Sequence, residues 1–232
     1  MTPPADEPGL DNPVWSCLTT RHAHLALGNR HALRYPFEFS PLSGLPAAAP
    51  ENLDAVQALV AIGDAVAVAG AHVPEWPKNW DTLHRITLWQ MVRRDTSPLP
   101  EGPAEIVPLS ASDVADMLAL VELTHPGPFR ERTIELGAFV GVRERGRLLA
   151  MAGERMWIGD HREVSGVCTH PDAQGRGFAR ALMARVINRM LGEGQTPFLH
   201  VESANARAIH TYESLGFVKR AEFPLLYAMR TR

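Results

Sequence analysis

Val167-Cys-Thr-His-Pro-Asp-Ala-Gln-Gly-Arg-Gly-Phe-Ala179 decides how this chain is read. An apolar run from Glu163 to Thr169 stops at His170-Pro171, and a glycine-punctuated loop then opens into a helix. In that helix Phe178, Leu182, Val186 and Met190 recur every four residues beside Met183, Ile187 and Leu191, a broad apolar stripe that must lie on a sheet. N–H groups at a helix start have no partner inside the helix, and the helix dipole adds positive potential. The loop from Gln174 through Gly175, Arg176, Gly177, Phe178 and Ala179 to Arg180 therefore suits a phosphate or diphosphate. Gly175 and Gly177, lacking a Cβ, let the backbone approach phosphate oxygens and take positive φ. Arg176 and Arg180 add charge. Neither G-x-x-x-x-G-K-[ST] nor a full G-x-G-x-x-G occurs, which disfavours nucleoside triphosphate and dinucleotide chemistry.

The rest of the composition narrows the ligand. With 232 residues, 45% of them apolar, the chain has room for one large or two small domains. A net charge of −3 argues against broad nucleic-acid or anionic-membrane binding, so a small molecule is the expected partner. No run approaches a membrane span, and Met1 to Pro13 is proline-rich and acidic where a secretory signal would be basic and then apolar. A cytoplasmic location is expected. Cys17 and Cys168 form no C-x-x-C pair and the ten histidines no H-E-x-x-H, so neither a disulfide framework nor a metal site is expected.

Asp95 to Pro108 contains four prolines and Gly102, a composition that resists both helix and central strand. It divides the chain into residues 1–97, a smaller N-terminal α/β domain, and residues 104–232. In the first part Trp15 to Leu33 reads as helix, Tyr35 to Phe39 as extended, Leu53 to Ile62 as helix, and Asp64 to Ala71 and His84 to Arg93 as strands. In the second, a strand near Glu105 to Pro108 precedes a helix to about Leu123. A hairpin follows from Ala138 to Arg143 and Leu148 to Trp157, then the strand, glycine loop and helix already described. A strand at Phe198 to Val201, a helix from about Asn205 to Leu215 and two strands near Val218 to Phe223 and Leu226 to Arg230 complete the order. The fold class is α/β (α+β), a mixed, mostly antiparallel sheet flanked by helices.

This order of elements, with V-C-T-H-P-D-A-Q-G-R-G-F-A and the later H-V-E-S-A-N-A-R-A-I-H-T-Y-E-S-L-G-F from His200 to Phe217, resembles the GNAT superfamily of acyl-CoA-dependent N-acyltransferases. The resemblance covers about Glu105 to Arg232, and its C-terminal part looks most like the glycine-N-acyltransferase-like subgroup. It implies acetyl-CoA as donor, with the backbone of Val167, Cys168 and Thr169 pairing with the pantetheine arm like an added strand. The loop from Gln174 to Arg180 would hold the diphosphate. Asn205 would hydrogen-bond the pantetheine or cap its helix.

Tyr212 lies seven residues after Asn205, on nearly the same helix face. In the family this tyrosine stands close to the thioester sulfur, where a phenol can donate to the departing thiolate; as an apolar-face residue it would only pack. For the acceptor, a lysine-like amine of pKa about 10.4 costs roughly 4 to 5 kcal/mol to deprotonate at neutral pH, and an α-amine near 8 about 1. Glu163, eleven residues before Gln174, is the expected general base, a spacing shared with the histone-type members. Glu154 on the neighbouring strand and Glu202 on the next are alternatives. Arg155 and Arg162 adjoin Glu154 and Glu163, so either carboxylate could instead be ion-paired.

Ala179 replaces a glycine that many members carry, and no second glycine loop appears in the first 95 residues, so one acyl-CoA site is expected per chain. The first half is read as a degenerate GNAT-like copy or as a cover for the acceptor pocket. The expected activity is acetyl transfer from acetyl-CoA to a small-molecule primary amine by direct attack in a ternary complex, Cys168 being a packing residue. A non-catalytic acyl-CoA sensor and an acyltransferase using longer donors are the alternatives. The family leaves a homodimer open.

Overall fold

The structure, a computed structural model, describes residues 7–70 and 75–232. Eleven strands form one sheet in the order β1-β2-β3-β4-β11-β5-β10-β9-β8-β7-β6. The strands are β1 (Leu27–Asn29), β2 (Ala32–Arg34), β3 (Leu42–Gly44), β4 (Ala65–Ala69), β5 (Trp80–Arg93), β6 (Val107–Leu109), β7 (Phe139–Glu144), β8 (Arg147–Ile158), β9 (His161–Thr169), β10 (Thr196–Glu202) and β11 (Phe217–Arg230). The helices are α1 (Pro8–Asp11), α2 (Pro13–Thr19), α3 (Pro50–Leu59), α4 (Val114–Thr124), α5 (Phe178–Gly192) and α6 (Ala206–Ser214). Only β3 with β4 and β9 with β10 pair in parallel, so the mixed, mostly antiparallel α/β class holds.

Side-chain alternation along the strands assigns the two faces. Met91, Val164, Leu199 and Val201 join Phe178, Leu182, Val186, Ile187 and Met190 in a core under α5, which also takes Ile209 from α6. Their strand neighbours Val92 and Phe198 face the other way, against Leu10, Val14, Cys17 and Leu18 of α1 and α2 and against Tyr35. Farther along that second face Met117 and Leu120 of α4 cover Phe139, Met151 and Cys168. The apolar stripe of α5 is thus buried on the sheet as its spacing predicts, and the chain's first helices seal the opposite side.

Strands from both sides of the proline-rich stretch share this sheet. β5 pairs along its length with β11 and on its other edge with β10, while β4 pairs with β11. The stretch itself is held against α5, where Leu99 exchanges backbone hydrogen bonds with the Asn188 side chain.

Three local expectations differ. Trp15 to Leu33 is not one helix: α2 stops at Thr19, and a hairpin of β1 and β2 follows. Gly28, at φ +130°, has no room for a Cβ against the Ala32 carbonyl, so turn chemistry overrides apolar spacing here. Tyr35 to Phe39 is a turn rather than extended, closed by Phe39 N–H donating to the Pro36 carbonyl at 2.9 Å. The two final strands are one, β11, which takes a bulge between Lys219 and Ala221 and accommodates Pro224 just before the stretch that β4 pairs.

Candidate active site

The parallel ladder between β9 and β10 covers only His161–Thr196, Arg162–Pro197 and Glu163–Phe198. Past Glu163 the strands part. β9 goes on pairing with β8 as far as Thr169, and β10 goes on pairing with β5 as far as Glu202, so the facing edges of Val164–Thr169 and Leu199–Glu202 are left open. An extended chain with amide groups fits such a gap as an extra strand. Thr169, the last residue of β9, adds a buried hydroxyl with no hydrogen-bond partner among the described residues, a polar atom that a bound amide would satisfy.

β9 carries a device that sequence reading did not single out. Between Met151–Cys168 and Gly153–Ser165 its register with β8 shifts, and Gly166 in the bulge takes φ +63°. A Cβ there would meet Phe139 Cε1 at 2.9 Å. The bulge turns the backbone of the cleft wall within the stretch expected to pair with pantetheine. A lone glycine inside a strand pattern, Ser165-Gly166, was the available signal.

The glycine loop lies at the open end. Gly175 and Gly177 have φ +77° and +78°, and no heavy atom stands within 4 Å of where a Cβ would be. Gly177 caps α5, whose first internal bond is Ala181 N–H to the Gly177 carbonyl at 3.1 Å, leaving the N–H groups of Phe178, Ala179 and Arg180 ahead of the helical ladder. The Phe178 ring is buried in the core, and the Arg176 guanidinium lies over it at 4.5 Å from the ring centre. Arg176 pairs with exposed Glu144, and Arg180 donates to Ser214 Oγ at 2.8 Å. A further arginine, not anticipated, reaches the same place: Arg207 from the first turn of α6 donates to Gln174 Oε1 at 2.8 Å. All three partners are solvent-exposed and exchangeable for phosphate oxygens.

On α6, Asn205 is the cap: its side chain accepts from Ala208 N–H at 3.1 Å. Tyr212 is half-buried and packs on the α5 core. Burial, with a smaller contribution from the Cys168 thiol, pushes its phenol up to about 12. Cys168 itself is buried beside α4, and burial pushes its thiol up to about 11. It packs, as expected, and is no thiolate nucleophile.

Glu163, the expected general base, lies inside the sheet. It is 0% exposed, accepts two hydrogen bonds from Arg155 at 2.8 and 2.7 Å, and accepts a third from His200 Nδ1–H at 2.8 Å. Burial alone would raise its pKa, but the charge and hydrogen bonds of Arg155, with the hydrogen bond from His200, outweigh it and hold the carboxyl down at about 2. A carboxylate so held is the counter-ion of Arg155. Arg155 was flagged in sequence as a possible partner; the cover of Cys17 and Tyr35, which removes water from the pair, was not.

Glu154 is 4% exposed and bound by Arg162 at 3.4 Å and by Arg189. It borders a separate cavity of 330 Å³ with Gly137, Trp157, Arg162, Arg189 and Glu193. Arg189 stands twelve residues along α5 from Gly177, roughly 18 Å from the glycine loop. Glu154 is therefore remote from the donor end of the cleft. Glu202 is exposed where β10 ends.

The Acetyltransferase (GNAT) family profile matches residues 112–217, the span from α4 to the start of β11. A crystal structure of a GNAT-family putative acetyltransferase from Novosphingobium aromaticivorans is 36% identical, superposes with a TM-score of 0.88, and is aligned over 96% of this chain and 99% of its own. The chain belongs to the GNAT acetyltransferase family. A ribosomal protein bS18-alanine N-acetyltransferase of Escherichia coli K12 is 28% identical over 126 residues, 50% of this chain and 84% of its own length. An L-amino acid N-acyltransferase of the same organism is 37% identical over 65 residues, 28% of this chain; the match spans only 38% of that relative.

GNAT acetyltransferases take acetyl-CoA as donor, and the residues present fit it. The open edges of β9 and β10, the unspent Thr169 hydroxyl and the uncrowded glycines each suit one portion of the molecule. Among the described residues, no helix is long and apolar enough to cross a membrane, and no group of three His, Cys, Asp or Glu is placed to hold a metal ion.

Proposed function

We propose that this GNAT protein transfers an acetyl group from acetyl-CoA to a primary amine by direct attack within a ternary complex, in the cytoplasm. The observation that carries the reading is the parting of β9 and β10 past Glu163, leading directly into the Gly175–Gly177 loop, with Tyr212 on the helix that follows β10. In this reading Val167, Cys168 and Thr169 hold the pantetheine amides through their backbone. Gln174 to Arg180 and Arg207 hold the diphosphate, and Asn205 keeps the start of α6 in place.

The amine nitrogen's lone pair attacks the thioester carbonyl carbon. As the C–N bond forms and the C–S bond breaks, the electron pair goes to sulfur and the extra proton leaves the nitrogen for solvent. Tyr212 donates a hydrogen bond to the sulfur. A phenol at about 12 does not hand its proton outright to a thiolate near 8.5, so water completes the protonation. The contribution expected of such a donor is about 10²-fold in rate. Relatives act on varied amines: one is named for L-amino acids and another for the alanine of a ribosomal protein.

Thiol release from acetyl-, propionyl- and benzoyl-CoA, measured across a panel of amines, tests the reading. Turnover with acetyl-CoA supports it. Preference for benzoyl-CoA would move the chain toward the glycine-N-acyltransferase-like subgroup, and tight CoA binding without turnover would make it a sensor.

A further inference from the structure

We infer that the acceptor is an α-amine of low basicity, that of a polypeptide N-terminus, rather than a lysine-type amine. The inference rests on the transfer proposed above and follows from what surrounds the apex of the cleft.

An ammonium must lose a proton before it can attack, and a chain that acylates lysine-type amines needs a base where the strands part. Each buried group near that point is engaged. Glu163, the last residue of β9 before the gap, accepts from Arg155 with both oxygens and from His200 with one. His200, two residues past Phe198 on the opposing strand, is held on both nitrogens. Its Nδ1–H is spent on Glu163, and its Nε2 accepts from Gln90 Nε2–H at 3.1 Å.

Gln90 cannot turn to release it, because the same amide nitrogen donates to the Leu10 carbonyl at 2.9 Å and its oxygen accepts from Arg220 at 2.9 Å. An imidazole that gained a proton on Nε2 would face an N–H with its own. From the face under α1 and α2, Cys17 and Tyr35 close over Arg155, and neither thiol nor phenol is a base at neutral pH when both are pushed upward by burial. Glu154 is bound by Arg162 and Arg189. Glu202 stands exposed at the end of β10, four residues and roughly 13 Å along the strand from Phe198, where the ladder ends.

The acceptor must then arrive with its own supply of free base and give its proton to water. At pH 7 the N-terminal α-amine of a polypeptide, of pKa near 8, has about 9% of its molecules neutral, and a lysine-type amine of about 10.4 has roughly 0.04%, a difference of roughly 200-fold. The packed apex selects by this chemistry, and a free amino acid, whose carboxylate withdraws less charge than a peptide carbonyl and leaves its amine more basic, gains little from it.

The test uses the full chain with acetyl-CoA and four probes: free L-alanine, a short peptide with a free N-terminal alanine, Nα-acetyl-lysine amide and spermidine. Thiol release is followed from pH 6 to 9.5, with mass spectrometry locating the acetyl group. The expected result is turnover on the peptide, with kcat/KM roughly 200-fold above the lysine amide at pH 7 and above that for free L-alanine; L-alanine turning over faster than the peptide overturns the inference. The profile should climb tenfold per pH unit and bend at the acceptor's own pKa. Equal or better turnover of the lysine amide or spermidine overturns the inference while leaving acetyl transfer intact. So does a bend between pH 6 and 7 that stays fixed when the acceptor changes, since it would report a base on the enzyme. Release with none of the four overturns the proposed transfer and the inference together.

Discussion

Replacing Glu163 with glutamine separates a counter-ion from a catalytic base. Glutamine keeps the volume and one acceptor oxygen for His200 Nδ1–H but leaves the buried guanidinium of Arg155 without its opposite charge. The carboxyl titrates at about 2 in the fold against 4.5 when unperturbed, which corresponds to about 3 kcal/mol of stability at neutral pH. Breaking one side of a buried ion pair commonly costs about 3 to 5 kcal/mol, so the two estimates agree. For a chain of this size that is roughly a 6 to 12 °C fall in Tm. Because the folded pKa is depressed, the stabilisation is complete above about pH 4.5 and disappears as pH falls toward 2. The gap between wild type and E163Q should therefore be constant from pH 6 to 8 and close in acid. Thermal unfolding across pH, with kcat/KM measured well below the variant's Tm, checks this; turnover should fall less than tenfold. An unchanged Tm with a loss of 10³-fold or more in turnover would show that Glu163 handles the proton after all.

Tyr212→Phe should lower kcat about 10²-fold and leave the Kd for CoA nearly unchanged by calorimetry; equal turnover would remove the phenol from the reaction. Gly177→Val places a β-branched residue at φ +78°, where its Cβ meets no heavy atom. CoA affinity should fall at least tenfold while Tm drops by only the cost of a strained residue, about 1 to 3 kcal/mol; retained affinity would move the diphosphate elsewhere. A fragment of residues 104–232 should not unfold cooperatively, because β11 would lose both neighbours and β10 one. A soluble fragment that binds CoA would show that the proline-rich boundary is also a folding boundary.

The donor half of the site was legible because its determinants are local. The α5 stripe, the glycines at the strand-to-helix junction and the Asn205–Tyr212 spacing all act within a few turns of chain, and α6 reaches the loop and the start of α5 through Arg207–Gln174 and Ser214–Arg180. The acceptor half depends on contacts across long separations. Glu163 is neutralised by a residue eight positions earlier and by His200 from another strand, and it is sealed by Cys17 and Tyr35 from the far end of the sequence. Nothing in the spacing around Glu163 reports that cover. Arg207 was within reach of the same reasoning that named Asn205, since it lies in the first turn of that helix, but its partner Gln174 is 33 residues away. The stretch from Trp15 to Leu33 misled for a different reason: apolar spacing continued through the Arg30-His31 turn of a hairpin whose first strand holds Gly28 at φ +130°.

The placement of β5 also bears on how the protein is made. The strand that backs one wall of the donor cleft leaves the ribosome long before either neighbour, because β10 begins more than a hundred residues later and β11 is the last element described. Two sheet edges on β5 must wait through that interval, a period of several seconds at ordinary translation rates. Such distant pairing slows folding and leaves nascent chains open to self-association. Expression at lower temperature, or with chaperones that shelter extended segments, should raise the yield of soluble protein more than any change within the second half of the chain.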